Sequence, residues 1–225
     1  MNDVNSKQKH GYPGLLIVIE GTDGVGRSTQ IEKLREWLTI ESYGVMVSEW
    51  KTSRLMADFI DKAKASNLLN ANTFSLLYAS DFTERLENNI IPALKAGLIV
   101  LVDRYTYTAF ARDVVRGVKP EWVKKLYDFA PEPDLVFYLK MPVDILLKRI
   151  ISVSGLDYYE SGRDIGLSTD FYESFKLYQR RILAEYAKMA NEYEFINING
   201  NASINAIQSK MRIKVRQLLD SGAIK

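Results

Sequence analysis

Short apolar runs alternate along this chain with stretches whose apolar positions recur every three or four residues. The first pattern predicts buried strands and the second amphipathic helices. The runs Leu15–Glu20, Val45–Trp50, Leu98–Val102, Leu135–Leu139 and Phe195–Ile198 are continuous rather than alternating, as expected of parallel strands covered on both faces. Helical spacing predicts helices over Ser28–Glu41, Ser53–Ala65, Ala71–Lys95, Tyr107–Arg116, Glu121–Phe129, Val143–Ile151, Thr169–Asn191 and Ser203–Ser221. In the seventh of these, Phe171, Phe175, Tyr178, Ile182, Tyr186 and Met189 fall on one stripe, which reads as core. Pro131-Glu132-Pro133-Asp134 stops one helix and sets the chain for the next strand. The order is that of βα units around a parallel sheet. Residues 152–168 break the pattern: they are polar and hold Gly155, Gly162 and Gly166. In a compact domain such a segment is read as a lid, with a surface loop as the alternative.

Composition narrows the chemistry. The 225 residues suit one domain, and 47% hydrophobic residues are ample for its core. Residues 1–13 read as a flexible tail and residues 14–225 as the domain. A net charge of +2 gives no general basic field for nucleic acid. No apolar run approaches the roughly 18 residues that span a bilayer, so no membrane partner is expected. The chain has no cysteine, which removes disulfides and thiolate chemistry and fits a cytoplasmic location. Its one histidine, His10, lies in the polar tail, so histidine-based acid–base catalysis and zinc clusters are not expected.

The most specific motif follows the first strand. Gly21-Thr22-Asp23-Gly24-Val25-Gly26-Arg27-Ser28-Thr29 has the spacing of the phosphate-binding loop G-x-x-x-x-G-K-[ST], with arginine at the lysine position. Converging backbone N–H groups and the start of the following helix favour phosphate there, and Ser28 offers a hydroxyl to Mg²⁺.

Together with Asp103-Arg104-Tyr105 after the third strand, Pro133-Asp134-Leu135 opening the fourth and Ile198-Asn199-Gly200 before the last helix, this loop makes the chain resemble the thymidylate kinases, which are P-loop nucleoside monophosphate kinases. The resemblance runs from about Leu15 to Leu219. It implies a three-layer α/β P-loop NTPase fold, a five-stranded parallel sheet flanked by helices with a lid, and transfer of the ATP γ-phosphate to dTMP. It also implies Mg²⁺ and a homodimer formed through long helices, a role the Ala71–Lys95 helix would fill with Leu76, Leu77, Leu86 and Ile90, although these residues also read as core. By position, residues Gly21 to Thr29 would hold ATP phosphates, Ser28 and Asp103 would attend Mg²⁺, and Asp23 would accept from the acceptor 3′-hydroxyl. Arg104 would bridge acceptor phosphate and transferring phosphoryl, Lys51 or Arg54 would bind the acceptor phosphate, with Arg54 favoured for its fork, and Arg149 would stack on the donor adenine. Tyr78 would stack on the acceptor base, unless it is simply core.

Three departures bear on activity. Arg27 replaces the lysine, and the two side chains differ in shape and hydration. Some members carry a catalytic arginine in the loop, where this chain has Gly24, or in the lid in a pattern like Asp-Arg-x-Glu, where this chain reads Asp157-Tyr158-Tyr159-Glu160. Arg163 is the nearest replacement and is expected to swing onto the transferring phosphoryl. Phe82 stands at the position of a base-reading arginine, and Arg112 would supply the lost donor. An active kinase of unusual subtype is therefore the leading expectation; a nucleotide-binding module with little catalysis, or a kinase for another pyrimidine monophosphate, are the alternatives.

Overall fold

The computed structural model describes residues 9–67, 69–153 and 155–222. Five parallel strands form the sheet: β1 (Leu15–Gly21), β2 (Val45–Glu49), β3 (Ile99–Asp103), β4 (Leu135–Lys140) and β5 (Ile196–Asn199), in the order β2-β3-β1-β4-β5. This is the expected sheet. Its helices are α1 (Arg27–Ile40), α2 (Ala57–Ala65), α3 (Ala71–Arg85), α4 (Ile91–Lys95), α5 (Thr106–Val115), α6 (Pro120–Leu126), α7 (Val143–Val153), α8 (Phe171–Glu192) and α9 (Ile204–Asp220).

The continuous apolar runs resolve into two interleaved sets because successive side chains of a strand point to opposite faces. Leu15, Ile17, Ile19, Ile99, Leu101, Phe137 and Leu139 pack with Ile31, Leu34 and Leu38 of α1 and with Ile207, Met211 and Val215 of α9. Leu16, Val18, Val100, Val102, Val136 and Tyr138 pack with Phe82 of α3, Tyr107 of α5 and Tyr186 of α8. All seven residues of β1 are buried, so both sides of the central strand are layered by helices. Truncating one of these aliphatic side chains to alanine is expected to cost about 2–5 kcal/mol.

Most boundaries shift by one to three residues, and three larger differences have identifiable reasons. The predicted helix over Ala71–Lys95 contains a wide turn, Leu86–Ile90, in which the Ile91 N–H donates to the Leu86 carbonyl five residues back. Pro92 follows at the start of α4; it has no N–H, and its ring would crowd the carbonyl four residues earlier, so a wider turn relieves the chain there. The helix predicted from Ser53 begins at Ala57, because Ser53 Oγ accepts from the Leu55 and Met56 N–H groups in a turn of its own (3.2 and 3.1 Å). Of the expected tail, residues 1–8 lie outside the described residues. His10, in contrast, is anchored: its Nδ1 accepts from the Tyr12 N–H, which leaves Nε2 to donate to Asp134 Oδ2 at 3.0 Å. The same Asp134 oxygen accepts from the Leu16 N–H at 2.8 Å, so this carboxylate ties the entry of β1 to the start of β4.

Candidate active site

β1 and β3 end side by side, with Ile19 opposite Asp103, at the place where the strand order turns from one side of β1 to the other. Crevices outside the carboxyl ends of parallel strands at such a point are ligand sites in open α/β sheets. Here the crevice is a cavity of about 250 Å³. Asp23, Arg27 and Ser28 reach it from the loop after β1, and Asp103 and Arg104 from the end of β3. Trp50 and Lys51 follow β2, Tyr78 comes from α3, Arg112 from α5, and Glu160 from the segment after α7.

Opposite charges interlock across this cavity. Arg27 donates from Nε to Asp103 Oδ1 (2.5 Å) and from Nη1 to the carbonyls of Gly21 (2.7 Å) and Thr22 (2.5 Å). The guanidinium therefore cross-braces both ends of its own loop and the end of β3, which no ammonium could do from one point. Ser28 Oγ donates to the other Asp103 oxygen at 3.3 Å. Asp23 accepts from Nη2 of Arg104 and from Nη2 of Arg112, the latter at 2.9 Å. Burial opposes its charge, but Arg104, then Arg112 and Arg27, outweigh burial and hold its carboxyl well below the usual range. Glu160 is pushed the other way, first by the Asp23 charge and then by burial. Within one cavity, two carboxylates thus have opposite tendencies.

The basic side chains are aimed by unusual backbone. Arg104 and Lys51 both sit in the left-handed region, at φ +69° and +63°, where a side chain is strained. The Lys51 turn is pinned by the buried Asp81, which accepts from the N–H groups of Lys51 (3.0 Å) and Ser53 (3.1 Å) and from Arg85 Nε (3.0 Å). Gly24, at φ +74°, would bring a Cβ to 2.8 Å from Ile150 Cγ1. An arginine at that loop position is therefore disfavoured here, consistent with its absence.

Similarity to known proteins agrees with this geometry. The family model for thymidylate kinase matches residues 19–211. The chain belongs to the thymidylate kinase family. It is 41% identical over 210 residues to a probable thymidylate kinase 2 of Saccharolobus solfataricus, covering 92% of this chain and 98% of that protein. It is 32% identical over 219 residues to a probable thymidylate kinase of Thermococcus kodakarensis (91% and 98% covered). It is 31% identical over 211 residues to a thymidylate kinase of Desulfotalea psychrophila (92% and 96% covered).

Within this thymidylate kinase fold, the residues expected at the site divide cleanly. Asp23, Arg27, Ser28, Lys51, Tyr78, Asp103, Arg104 and Arg112 come together around the cavity. Tyr78 both lines the cavity and packs with Ile60, Phe74 and Tyr159, its ring stacked on Trp50 at 5.3 Å and 28°. Gly21, Gly24, Gly26 and Thr29 sit in the loop and at the start of α1 as expected, whereas Val25 turns its side chain into the core and Thr22 is buried.

Four residues lie elsewhere. Arg54 is exposed outside the cavity, whereas Lys51, the other basic residue considered there, lines it, with Nζ 2.6 Å from Asp61. Phe82 is fully buried against the edges of Tyr105 and Tyr127; it is a core residue, not a substrate contact. Arg149 lies at the end of α7, its Nη2 donating to Asn201 Oδ1 at 3.4 Å. Arg163 donates from Nη1 to the carbonyls of Ser168 (2.8 Å) and Thr169 (2.6 Å), and so braces its own loop without lining the cavity.

The segment read as a lid is docked. Arg116 donates to Asp164 (2.7 Å), the Tyr178 hydroxyl (2.6 Å) and the Tyr159 carbonyl (2.7 Å). Tyr159 packs on Phe74, Lys64 reaches Asp157 at 3.2 Å, and a Cβ on Gly162 would meet the Tyr178 ring at 2.8 Å. Glu49, Trp50, Lys64 and Glu160 are the cavity residues not assigned from the sequence. Glu160 had a signal, as the final residue of the altered lid pattern; Lys64 had only its helical spacing from Ile60.

Proposed function

We propose that the chain is an ATP-dependent thymidylate kinase that moves the γ-phosphoryl of ATP onto dTMP, giving dTDP and ADP. The observation that carries this is the meeting of the loop residues Asp23 and Arg27 with Asp103, Arg104 and Arg112 at one strand-end cavity. The absence of a histidine or cysteine base in that cavity fits the reaction. A nucleoside monophosphate is largely dianionic at neutral pH, since its second pKa is near 6, so its oxygen is already a nucleophile. Phosphoryl transfer then needs positioning and charge stabilisation more than proton removal.

Loop amides and the start of α1 hold the ATP phosphates, and Arg149 with Asn201 marks the donor-base side. Arg104 and Arg112 each hold Asp23 through one nitrogen. A guanidinium has five N–H donors, so each has capacity for the acceptor phosphate and the transferring group. Asp23 receives the acceptor 3′-hydroxyl, and Tyr78 stacked on Trp50 forms the platform for the base. For Mg²⁺, the Ser28 hydroxyl beside an Asp103 carboxylate oxygen is a fitting set of hard oxygen donors, with no larger carboxylate cluster found among the described residues. When bound there, Mg²⁺ would supply positive charge that offsets that of the phosphates. The apolar outer face of α2 and α3 supports a homodimer. Among the described residues no helix is long and apolar enough to cross a membrane.

A coupled ADP-release assay across dTMP, dUMP, dCMP, UMP and CMP tests the reading. The highest kcat/KM is expected with dTMP. ATP binding without turnover on any acceptor would replace it with the binding-module reading. Preference for another pyrimidine would agree with Phe82 being buried and no arginine standing at that position.

A further inference from the structure

Glu20 is the penultimate residue of β1, just before the loop, and is 0% exposed. A carboxylate in the middle of a fully buried strand is costly unless it is hydrogen-bonded. Its Oε1 accepts from the Tyr105 N–H at 2.7 Å; its Oε2 accepts from Thr108 Oγ (2.7 Å) and from the Tyr186 hydroxyl (2.6 Å). The first of these bonds has a particular place in the chain. The ladder between β1 and β3 ends at the pair Ile19 and Asp103. The Arg104 N–H still donates to the Ile19 carbonyl at 3.1 Å, but Arg104 then turns into the left-handed region. The next amide, that of the buried Tyr105, is met by the Glu20 side chain instead of a strand carbonyl. Two consecutive amides are thus held by two consecutive residues of β1, and the strained residue between them is the one whose guanidinium meets Asp23.

We propose that Glu20 is a positioning residue for phosphoryl transfer: by fixing the Arg104–Tyr105 peptide it holds Arg104 in the conformation that aims its guanidinium into the cavity. Glu20 does not itself line the cavity, so it acts through Arg104. The inference rests on the reading that Arg104 contacts the acceptor phosphate. A strained backbone of this kind persists only where its surroundings over-determine it. Tyr105, Thr108 and Tyr186 differ in a useful way. The amide can only donate, whereas both hydroxyls can also accept. A glutamine at position 20 can therefore accept from Tyr105 while donating to the hydroxyls.

The test is a double-mutant cycle of Glu20→Leu with Arg104→Ala, with KM measured separately for dTMP and ATP and folding followed by thermal unfolding. Glu20→Leu is expected to lower kcat/KM for dTMP by on the order of ten- to a hundred-fold, with KM for ATP nearly unchanged. It should add little to the loss in the Arg104→Ala background, because the effect passes through Arg104. Glu20→Gln should recover most of the activity. If the leucine variant does not fold, Glu20→Asp runs the same cycle, keeping the carboxylate but withdrawing it by one methylene. Fully additive losses, an equal rise in KM for ATP, or a glutamine variant as impaired as the leucine variant would each overturn the proposal. An Arg104→Ala variant with undiminished dTMP turnover would instead overturn the reading on which it rests.

Discussion

Arg27 carries more contacts than the lysine it replaces could make. Its guanidinium engages Asp103 and the carbonyls of Gly21 and Thr22 from two different nitrogens. An ammonium has three donors but one centre, and from it the three acceptors cannot all be reached in good geometry. Arg27→Lys is therefore expected to leave at least one buried carbonyl without its donor, at a cost of about 1–3 kcal/mol, and to lower kcat rather than raise it. Urea unfolding and steady-state turnover of this variant check both halves; a substantially faster lysine enzyme would mean that Arg27 is not integrated into the site. At this scale the sequence was most legible where chemistry and backbone coincide. Asp103 and Arg104 end a strand, and the phosphate loop ends another, so both could be placed from position alone. Phe82 and Arg163 could not. Phe82 lies one helical turn from Tyr78 on α3 and shares its inward side, but by that point the helix has passed from the cavity rim to Tyr105 and Tyr127. Arg163 follows an irregular segment whose path no periodicity defines.

Elements meet around the site through buried polar contacts as well as through apolar packing. α3 and α5 are joined by Ser75 Oγ, which donates to Asp113 Oδ2. Burial pushes the Asp113 carboxyl up from its ordinary 3.8 to about 6, against the hydrogen bond from Ser75 and the charges of Arg116 and Arg112. The folded state thus holds a proton here that the unfolded chain has released. Between about pH 4 and 6 the native form binds more protons, so stability falls as pH rises through that window, by at most about 3 kcal/mol from this group. Glu20 and Glu160 are raised as well, and their contributions have the same sign. Asp113→Asn, which keeps an acceptor for Ser75, isolates the one group. Its stability curve from pH 4 to 7, measured by urea unfolding, is expected to fall less than that of the unchanged chain. Parallel curves would exclude Asp113 as the titrating group. Elements themselves were largely readable from periodicity, since both faces of the sheet demand apolar strands. What periodicity missed were features fixed by single groups: the wide turn before Pro92, the Ser53 turn that delays α2, and the docking of residues 155–168 through Arg116. The docking of that last segment could not be read because its anchors, Arg116, Tyr178 and Phe74, lie far away in the sequence.

At the scale of the whole molecule, one face remains apolar where a solitary chain would gain by covering it. Leu55, Leu76 and Phe129 line one groove of about 460 Å³ with Met56, Ala79 and Leu126, and they are 75%, 49% and 52% exposed. Phe59 on α2 is 56% exposed. Leu86 and Ile90 are core residues, the second of the two readings given for them, so a homodimer contact here would use the outer side of α2 and α3 rather than the length of the helix. Exposed apolar groups gathered on one surface mark an interaction site more often than single scattered ones, and the net charge of +2 sets little repulsion against self-association. A charge placed in the middle of such a surface would be desolvated without a partner on association. Leu76→Glu is accordingly expected to sediment as a monomer at concentrations where the unchanged chain sediments as a dimer. Turnover per site is expected to survive the separation; a loss of activity in step with dissociation would show that the partner completes the site. A monomer for both proteins at tens of micromolar, the upper range for a weak specific interface, would remove the homodimer and leave the face to another partner.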